Sequence, residues 1–104
     1  MCGIAGACSL TSEPVCNLEK ALGVMNDLQA HRGPDGFGTW EHDSKRIGFA
    51  HRRLSIIDLS TGAQPMQAAS GNWITFNGEI YNYLELRREL GKDTFKTTSD
   101  TEVI

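Results

Sequence analysis

Two strand-like segments joined by a short polar turn restrict the fold of this chain more than any other feature of its sequence. Residues 37–42 and 47–52 contain the aromatic and β-branched residues that favour strands, and residues 43–45 between them are polar. Strands joined by so short a turn pair with each other in one sheet. The chain is therefore predicted to contain at least one β-sheet.

Other segments of the chain predict a further strand and a helix near the N-terminus. Residues 2–10 are apolar and small, which predicts a buried strand whose backbone another group approaches closely. Asn17 is a candidate helix cap, because apolar residues follow it at helical spacing as far as Leu28.

The C-terminal half repeats this mixture of strands and helix. Residues 73–76 and 94–98 predict short strands, and residues 83–90 predict a helix that ends at Gly91. Because the helices do not alternate regularly with the strands, the sequence favours the α+β class over an alternating α/β order.

Composition and charge exclude several functional classes. The chain has 104 residues, 39% of them apolar and 22% charged, with a net charge of -3. Such values are typical of one small globular domain and not of a basic nucleic-acid-binding surface. No apolar run reaches the roughly 18 residues of a membrane helix, and the N-terminus lacks the basic and apolar regions of a signal peptide. We therefore expect a cytoplasmic protein with neither nucleic acid nor membrane as a partner.

The cysteines favour neither a disulfide framework nor a metal site. There are three of them, Cys2, Cys8 and Cys16, and an odd number in a cytoplasmic chain argues against disulfides. Their spacing contains no C-x-x-C pair, and His31 and His42 are distant in sequence. We therefore expect no metal site.

The last residues resemble the beginning of a helix. Ser99 and Glu102 have the spacing of a capping box, and apolar residues follow them. A natural domain rarely stops where a helix begins. We therefore expect residues 1–104 to be the front part of a C-terminally truncated domain.

Cys2 is the first candidate catalytic residue. Aminopeptidases remove an initiator Met that precedes a small residue, which would leave Cys2 with a thiol and a free α-amine. Such an amine has a pKa of about 7.7–8.0, so part of it is an unprotonated base at neutral pH. Cys is a strong nucleophile, and an N-terminal amine is a known activating partner. The alternative is a small apolar Cys at the start of a strand, and position alone does not decide between them.

Asn77 and Gly78 also allow two interpretations. An Asn-Gly pair is most often a hairpin turn, but the residues after it run towards a helix rather than a return strand. In the other interpretation, the Asn77 side-chain amide and the Gly78 N–H point at one spot. Two donors so arranged stabilise the oxyanion of acyl transfer, and Gly78 is needed because a Cβ would crowd the substrate.

Three charged residues suit the ends of a free amino acid. Arg53 ends a strand, and alternation places it on the opposite face from Arg52. A guanidinium can hold an α-carboxylate with two hydrogen bonds, whereas Asp100 and Glu79 could pair with an α-ammonium group. Each of these residues, taken singly, fits a structural role better than a functional one.

The order of several motifs is more specific than any one of them. The motifs cover residues 1–6 (MCGIAG), 31–36 (HRGPDG), 51–58 (HRRLSIID), 62–66 (GAQPM), 77–82 (NGEIYN) and 99–102 (SDTE). Over residues 2–104 the chain resembles the N-terminal glutaminase domain of glutamine-hydrolysing asparagine synthetases, within the class II, or N-terminal-nucleophile, glutamine amidotransferases. The resemblance covers about the first half of that domain and none of the synthetase domain that follows it in the family.

This resemblance implies a fold and a set of roles. The implied fold is a four-layer αββα sandwich of which about half is present. Cys2 matches the nucleophile, and Asn77 and Gly78 match the oxyanion hole. Substrate binding is implied for Arg53 at the α-carboxylate, for Glu79 and Asp100 at the α-ammonium, for Asn77, and for Ile56 in the segment 54–57 whose backbone lines the substrate.

The resemblance also implies what the whole protein does. The glutaminase half would release ammonia from glutamine for ATP-dependent synthesis of asparagine from aspartate. No cofactor is expected in residues 1–104, whereas ATP and Mg²⁺ are expected at the synthetase domain, and a homodimer is possible. Two alternatives stay open: a related amidotransferase with a different carboxylate or sugar acceptor, and a non-catalytic fragment or interaction module.

Overall fold

The computed structural model describes residues 1–55 and 61–104 and has a mixed architecture of helices and antiparallel sheets. This architecture is compatible with the predicted α+β class. In chain order the elements are β1 (Gly3–Cys8), α1 (Leu18–Leu28), β2 (Gly36–Glu41), β3 (Ile47–Arg53), β4 (Met66–Gln67), β5 (Trp73–Ile74), α2 (Tyr83–Leu90) and two 3-10 turns (Lys92–Thr94 and Asp100–Val103).

The main sheet has three strands in the order β1-β3-β2, all antiparallel. The predicted pair of strands is confirmed as β2 and β3, with Thr39 opposite Ala50. β1 pairs with the other edge of β3, where Gly3 lies opposite Arg52. This register places the start of β1 beside the end of β3.

Helix α1 covers one face of this sheet. Leu18 and Leu22 are buried against Ala50, and Leu22 is only 1% exposed. Full burial of a leucine side chain contributes about 1.5–3 kcal/mol, so these two side chains are a large part of what holds helix and sheet together. The partly buried residues that surround them are Ala5, Ala7, Val15 and Met25.

Asn17 precedes α1 as predicted, but it does not cap the helix with its side chain. Its backbone is left-handed, with φ 51° and ψ 41°, and its side chain makes no capping hydrogen bond. A side-chain cap requires an extended backbone at that position. Asn tolerates the left-handed conformation better than most residues, which explains its place at this turn.

The opposite face of the main sheet carries the small sheet formed by β4 and β5. Trp40 of β2 stacks on Trp73 of β5, with ring centroids 4.9 Å apart, and also contacts Phe49. Nearby, His51 Nδ1 and Thr75 Oγ1 are 2.9 Å apart. The main sheet is therefore covered by a helix on one face and by β4–β5 on the other.

The two arginines at the end of β3 lie on opposite faces, as alternation predicted. Arg52 points towards α1, where its Nε donates to Asn26 O at 2.7 Å and its guanidinium pairs with Asp27. Arg53 points to the other face, towards Gly62 and Ser99.

The strand predicted at residues 94–98 is wrong. Within that segment the N–H groups of Lys96 and Thr97 donate to the Glu102 carboxylate, at 2.7 and 2.8 Å. Burial by itself raises the pKa of Glu102, but these bonds, that of the Thr97 hydroxyl and the Arg87 charge lower it overall. Local side-chain acceptors therefore replace the ladder that a neighbouring strand would have supplied.

The end of the described chain is a 3-10 turn rather than a regular helix. Ser99 caps it, with its Oγ accepting from Thr101 N at 3.3 Å. Glu102 does not complete the predicted capping box, because its carboxylate is held by Lys96 and Thr97. Arg87 of α2 ties the turn down by donating to Thr97 O and Ser99 O. In the part of the chain that the structure describes, no helix is both long and apolar enough to cross a membrane.

Candidate active site

A cavity of about 320 Å³ lies where the start of β1, the end of β3 and the 3-10 turn at residues 100–103 meet. It brings together all of the predicted site residues that the structure describes, namely Cys2, Arg53, Asn77, Gly78, Glu79 and Asp100. The remaining predicted residue, Ile56, lies outside the described residues. Side chains separated by almost the whole chain thus face one small volume.

The Cys2 thiol is held at the end of β3. The Leu54 N–H points at Cys2 Sγ at 3.3 Å, and the thiol can donate to Leu54 O at 3.6 Å. From outside the cavity, Arg32 Nε donates to the Cys2 carbonyl at 3.3 Å. These contacts fix the rotamer and the backbone of Cys2, so the half-buried sulfur faces the cavity.

The loop at residues 31–36 supports this corner of the site. Asp35 N donates to Arg53 O at 3.0 Å, and Ser55 N donates to Asp35 Oδ2 at 2.8 Å. The loop therefore fixes the chain on both sides of Leu54, whose N–H contacts the Cys2 sulfur.

Arg53 supplies a positive charge to the cavity. A Cβ placed on the buried Gly62 would lie 2.8 Å from an Arg53 guanidinium nitrogen and 3.3 Å from Ser99 Oγ. A residue with a side chain at position 62 would therefore displace the guanidinium, which explains the glycine.

Two carboxylates supply negative charge to the same cavity. Asp100 is 7% exposed and accepts a hydrogen bond from Ile80 N at 2.8 Å. Glu79 also lines the cavity but is exposed to solvent. Because Arg53 lines it as well, the cavity holds charges of both signs, as a zwitterionic ligand requires.

The hairpin interpretation of Asn77-Gly78 is wrong. A type I′ turn needs positive φ at both central residues, and neither residue has it in this structure. Both residues are exposed and line the cavity. The reason for glycine at position 78 also differs from the prediction: a Cβ there would lie 2.5 Å from Cζ of the Phe76 ring, so it is this ring that excludes a side chain.

A family model described as a glutamine amidotransferase domain matches residues 1–104. The chain belongs to this family. The residues that the resemblance assigned to the site therefore lie in a chain that matches this family over residues 1–104.

Named relatives of this amidotransferase domain are asparagine synthetases. It is 46% identical to asparagine synthetase (glutamine-hydrolyzing) 1 of Bacillus subtilis (strain 168), covering 100% of this chain and 17% of that protein. It is 42% identical to asparagine synthetase B (glutamine-hydrolyzing) of Escherichia coli (strain K12), covering 100% of this chain and 19% of that protein. The chain thus spans less than a fifth of the length of these curated relatives.

A buried histidine lies behind the site of the amidotransferase domain. His51 is 1% exposed, its Nδ1 lies 2.9 Å from Thr75 Oγ1, and its Nε2 has no hydrogen-bond partner among the described residues. Burial, and secondly the positive charge of Arg53, lower the pKa of His51 from 6.5 to about 4. His51 is therefore neutral at neutral pH.

This shift predicts a loss of stability in mild acid. Below pH 6.5 the unfolded chain protonates His51, whereas the folded chain resists protonation down to a pH of about 4. The free energy of unfolding should therefore fall by about 2 kcal/mol between pH 7 and pH 5, since each pKa unit is worth about 1.4 kcal/mol. Urea titrations of the protein at several pH values measure this slope.

The variant His51→Gln should lose this slope over the same pH range, whatever its stability at pH 7. His31→Gln is the matched control, because His31 is exposed. An unchanged slope in His51→Gln would contradict the assignment.

Several residues of the cavity were not predicted as site residues from the sequence. Gln64, Phe76 and Thr101 line it together with the predicted residues. Gln64 lies in the motif at residues 62–66, which is the signal that could have indicated it. The contact between Gln64 and Phe76 depends on how β4 and β5 pair, which the sequence does not reveal.

Proposed function

We propose that this amidotransferase domain hydrolyses the side-chain amide of glutamine, with Cys2 as the nucleophile. The observation that carries the proposal is the content of one cavity: a thiol, an amide and a backbone N–H that can donate, a guanidinium and two carboxylates. This set is complementary to an amino acid that carries a carboxylate, an ammonium group and a reactive amide. The relatives named glutamine-hydrolysing enzymes support the choice of glutamine.

The proposed roles follow from the charges of the site. Arg53 holds the glutamine α-carboxylate, and Asp100 and Glu79 hold its α-ammonium group. Asn77 and Gly78 donate to the oxygen of the side-chain amide. The polar ends of the substrate are thereby fixed while its amide carbon faces Cys2 Sγ.

The proposed reaction has two halves. The Cys2 thiolate attacks the amide carbon, and the negative charge that develops on the oxygen is stabilised by Asn77 and Gly78. The carbon–nitrogen bond then breaks, and nitrogen leaves as ammonia after taking a proton from the Cys2 α-ammonium group through a bridging water. Water hydrolyses the resulting γ-glutamyl thioester to glutamate and regenerates the thiol.

The α-amine is available for this role only after Met1 has been removed. Met1 also lines the cavity, so its removal would free space next to Cys2 as well as the amine. Removal of Met1 is therefore part of the proposal.

For the longer protein we propose synthesis of asparagine. Ammonia from this domain would react with an aspartate that ATP has activated, with Mg²⁺ as the metal of that second site. The names of the relatives support this assignment. We propose that ATP, Mg²⁺ and aspartate bind at other parts of that protein, because the cavity described here is assigned to glutamine.

The finer features of the fold belong to the same proposal. We propose that the domain is the first part of a four-layer αββα sandwich. The cover of α1 on one face of the main sheet and of β4–β5 on the other supports three of the layers. We also propose a cytoplasmic location, which the three free thiols support. A homodimer is proposed from the family resemblance alone.

Covalent labelling tests the proposed function. A glutamine analogue with an electrophilic diazoketone in place of the amide should attach to Cys2 of the natural protein, and excess glutamine should prevent the attachment. Mass spectrometry of proteolytic peptides locates the label. Cys8 and Cys16 are internal controls, because both are free and exposed and should react with iodoacetamide but not with the analogue. A label distributed over all three thiols would overturn the proposal.

A further inference from the structure

Gln64 joins two walls of the cavity through its side-chain amide. Its Oε1 accepts a hydrogen bond from Phe76 N at 2.6 Å, and its Nε2 donates to Thr101 Oγ1 at 3.2 Å. Phe76 immediately precedes Asn77 and Gly78, whereas Thr101 immediately follows Asp100. The half-buried Gln64 side chain therefore hydrogen-bonds to the residue before the proposed oxyanion donors and to the residue after the proposed ammonium ligand.

The position of Gln64 follows from the pairing of β4 with β5. Met66 lies opposite Ile74, and the antiparallel register, extended by two residues, places Gln64 opposite Phe76. Here the Phe76 N–H is bonded by the side-chain oxygen of Gln64 rather than by a backbone carbonyl. The β4–β5 pairing is therefore extended by the Gln64 side chain, at the point where the chain enters the cavity wall.

These contacts form a closed ring. Beyond Phe76, the chain runs along the cavity to Ile80, whose N–H donates to Asp100 Oδ2 at 2.8 Å. Asp100 is bonded through the chain to Thr101, which accepts from Gln64. Three hydrogen bonds and two short chain segments thus hold the oxyanion donors at a set distance from the buried carboxylate.

Gly78 follows Phe76 by two residues and lies near its ring, since a Cβ placed on Gly78 would be 2.5 Å from Phe76 Cζ. Because the connecting chain is so short, we expect a shift of the Phe76 backbone to move the Gly78 N–H as well.

We propose that Gln64 is a positioning residue that fixes the distance between the Asn77–Gly78 donors and the Asp100 carboxylate. This distance fits the cavity to the length of the glutamine side chain and disfavours asparagine, which is one methylene shorter. The inference rests on the proposed glutaminase function. Gln64 does not need to touch the substrate for this role, since it acts through Phe76 and Thr101.

The variant Gln64→Met tests the inference, because it keeps the size of the side chain and removes both hydrogen bonds. In the natural protein we expect kcat for glutamine hydrolysis to fall by about 10- to 100-fold, since small misplacements of catalytic groups cost that much. The preference for glutamine over asparagine in kcat/KM should narrow by about tenfold. Active sites are counted with the diazoketone label, so that kcat refers to folded, competent protein.

Gln67→Met is the matched control, because Gln67 lies three residues after Gln64, on β4, and is exposed. It should keep the wild-type kcat and substrate preference. If Gln64→Met also keeps both values per labelled site, the inference is wrong. A wild-type protein that releases no glutamate from glutamine would instead contradict the proposed function itself.

Thr101→Val provides a second test that leaves the Gln64–Phe76 bond in place. This variant removes only the longer bond, from Gln64 Nε2 to Thr101 Oγ1. We therefore expect a smaller loss in kcat than in Gln64→Met, together with a narrower preference for glutamine over asparagine. An unchanged preference in this variant would contradict the inference even if Gln64→Met failed to fold.

Discussion

Replacement of Cys2 by alanine should reduce glutamine hydrolysis to background, a loss of about 10⁴-fold or more. The sulfur is the atom that would form the thioester, and no other thiol of the described chain lines the cavity. The fold should survive, because the hydrogen bonds of the thiol within the described residues are both to the Leu54 backbone. Glutamate release by the natural protein, with Met1 removed, measures the effect.

Two controls separate chemistry from folding in the Cys2→Ala experiment. Cys8→Ala changes an exposed thiol outside the cavity and should leave the rate unchanged. If the longer protein makes asparagine as proposed, ammonium added in place of glutamine should still support that synthesis in the Cys2→Ala variant, since ammonium bypasses the missing step. Glutamate release at the normal rate by Cys2→Ala would show that another group is the nucleophile.

The second large effect is expected for Asn77→Ala, which should lower kcat for glutamine by about 10²- to 10³-fold. Asn77 would donate to the oxygen that becomes negative in the transition state, and a ground-state amide oxygen needs that donor less. The KM for glutamine should therefore change little. Steady-state kinetics of glutamate release give both parameters.

Asn82→Ala is the control for this experiment, because Asn82 is exposed in the same loop and its side chain makes no capping hydrogen bond to α2. It should behave as wild type. If Asn77→Ala raised KM and left kcat unchanged, Asn77 would be a binding residue and not part of an oxyanion hole.

Local sequence patterns were sufficient to predict the elements that depend on neighbouring residues. The strand pair at 37–42 and 47–52 and the helix at 83–90 are present within one residue of their predicted ends, because turn residues and hydrophobic spacing act over a few positions. The strand prediction at residues 94–98 was wrong because that segment depends on a contact that is not local. Its N–H groups are bonded by Glu102, whose approach depends on tertiary structure.

The sequence predicted residues that the structure brings to one cavity, but not the contacts that hold them there. Motif resemblance indicated Cys2, Arg53 and Asp100, which the structure brings to one cavity. The Leu54 N–H at the sulfur follows from the register between β1 and β3, and the bond from Phe76 N to Gln64 follows from the register between β4 and β5. Register is set by pairing between distant segments, so no local pattern reveals it.

The stacked indole rings of Trp40 and Trp73 make the protein its own optical probe. They are the two tryptophans of the chain, and they belong to different sheets. Two aromatic chromophores with centroids 4.9 Å apart couple strongly to each other, so near-ultraviolet circular dichroism should be sensitive to their separation. Emission and dichroism therefore report how closely β4–β5, which leads into the cavity wall through Gln64 and Phe76, packs on the main sheet.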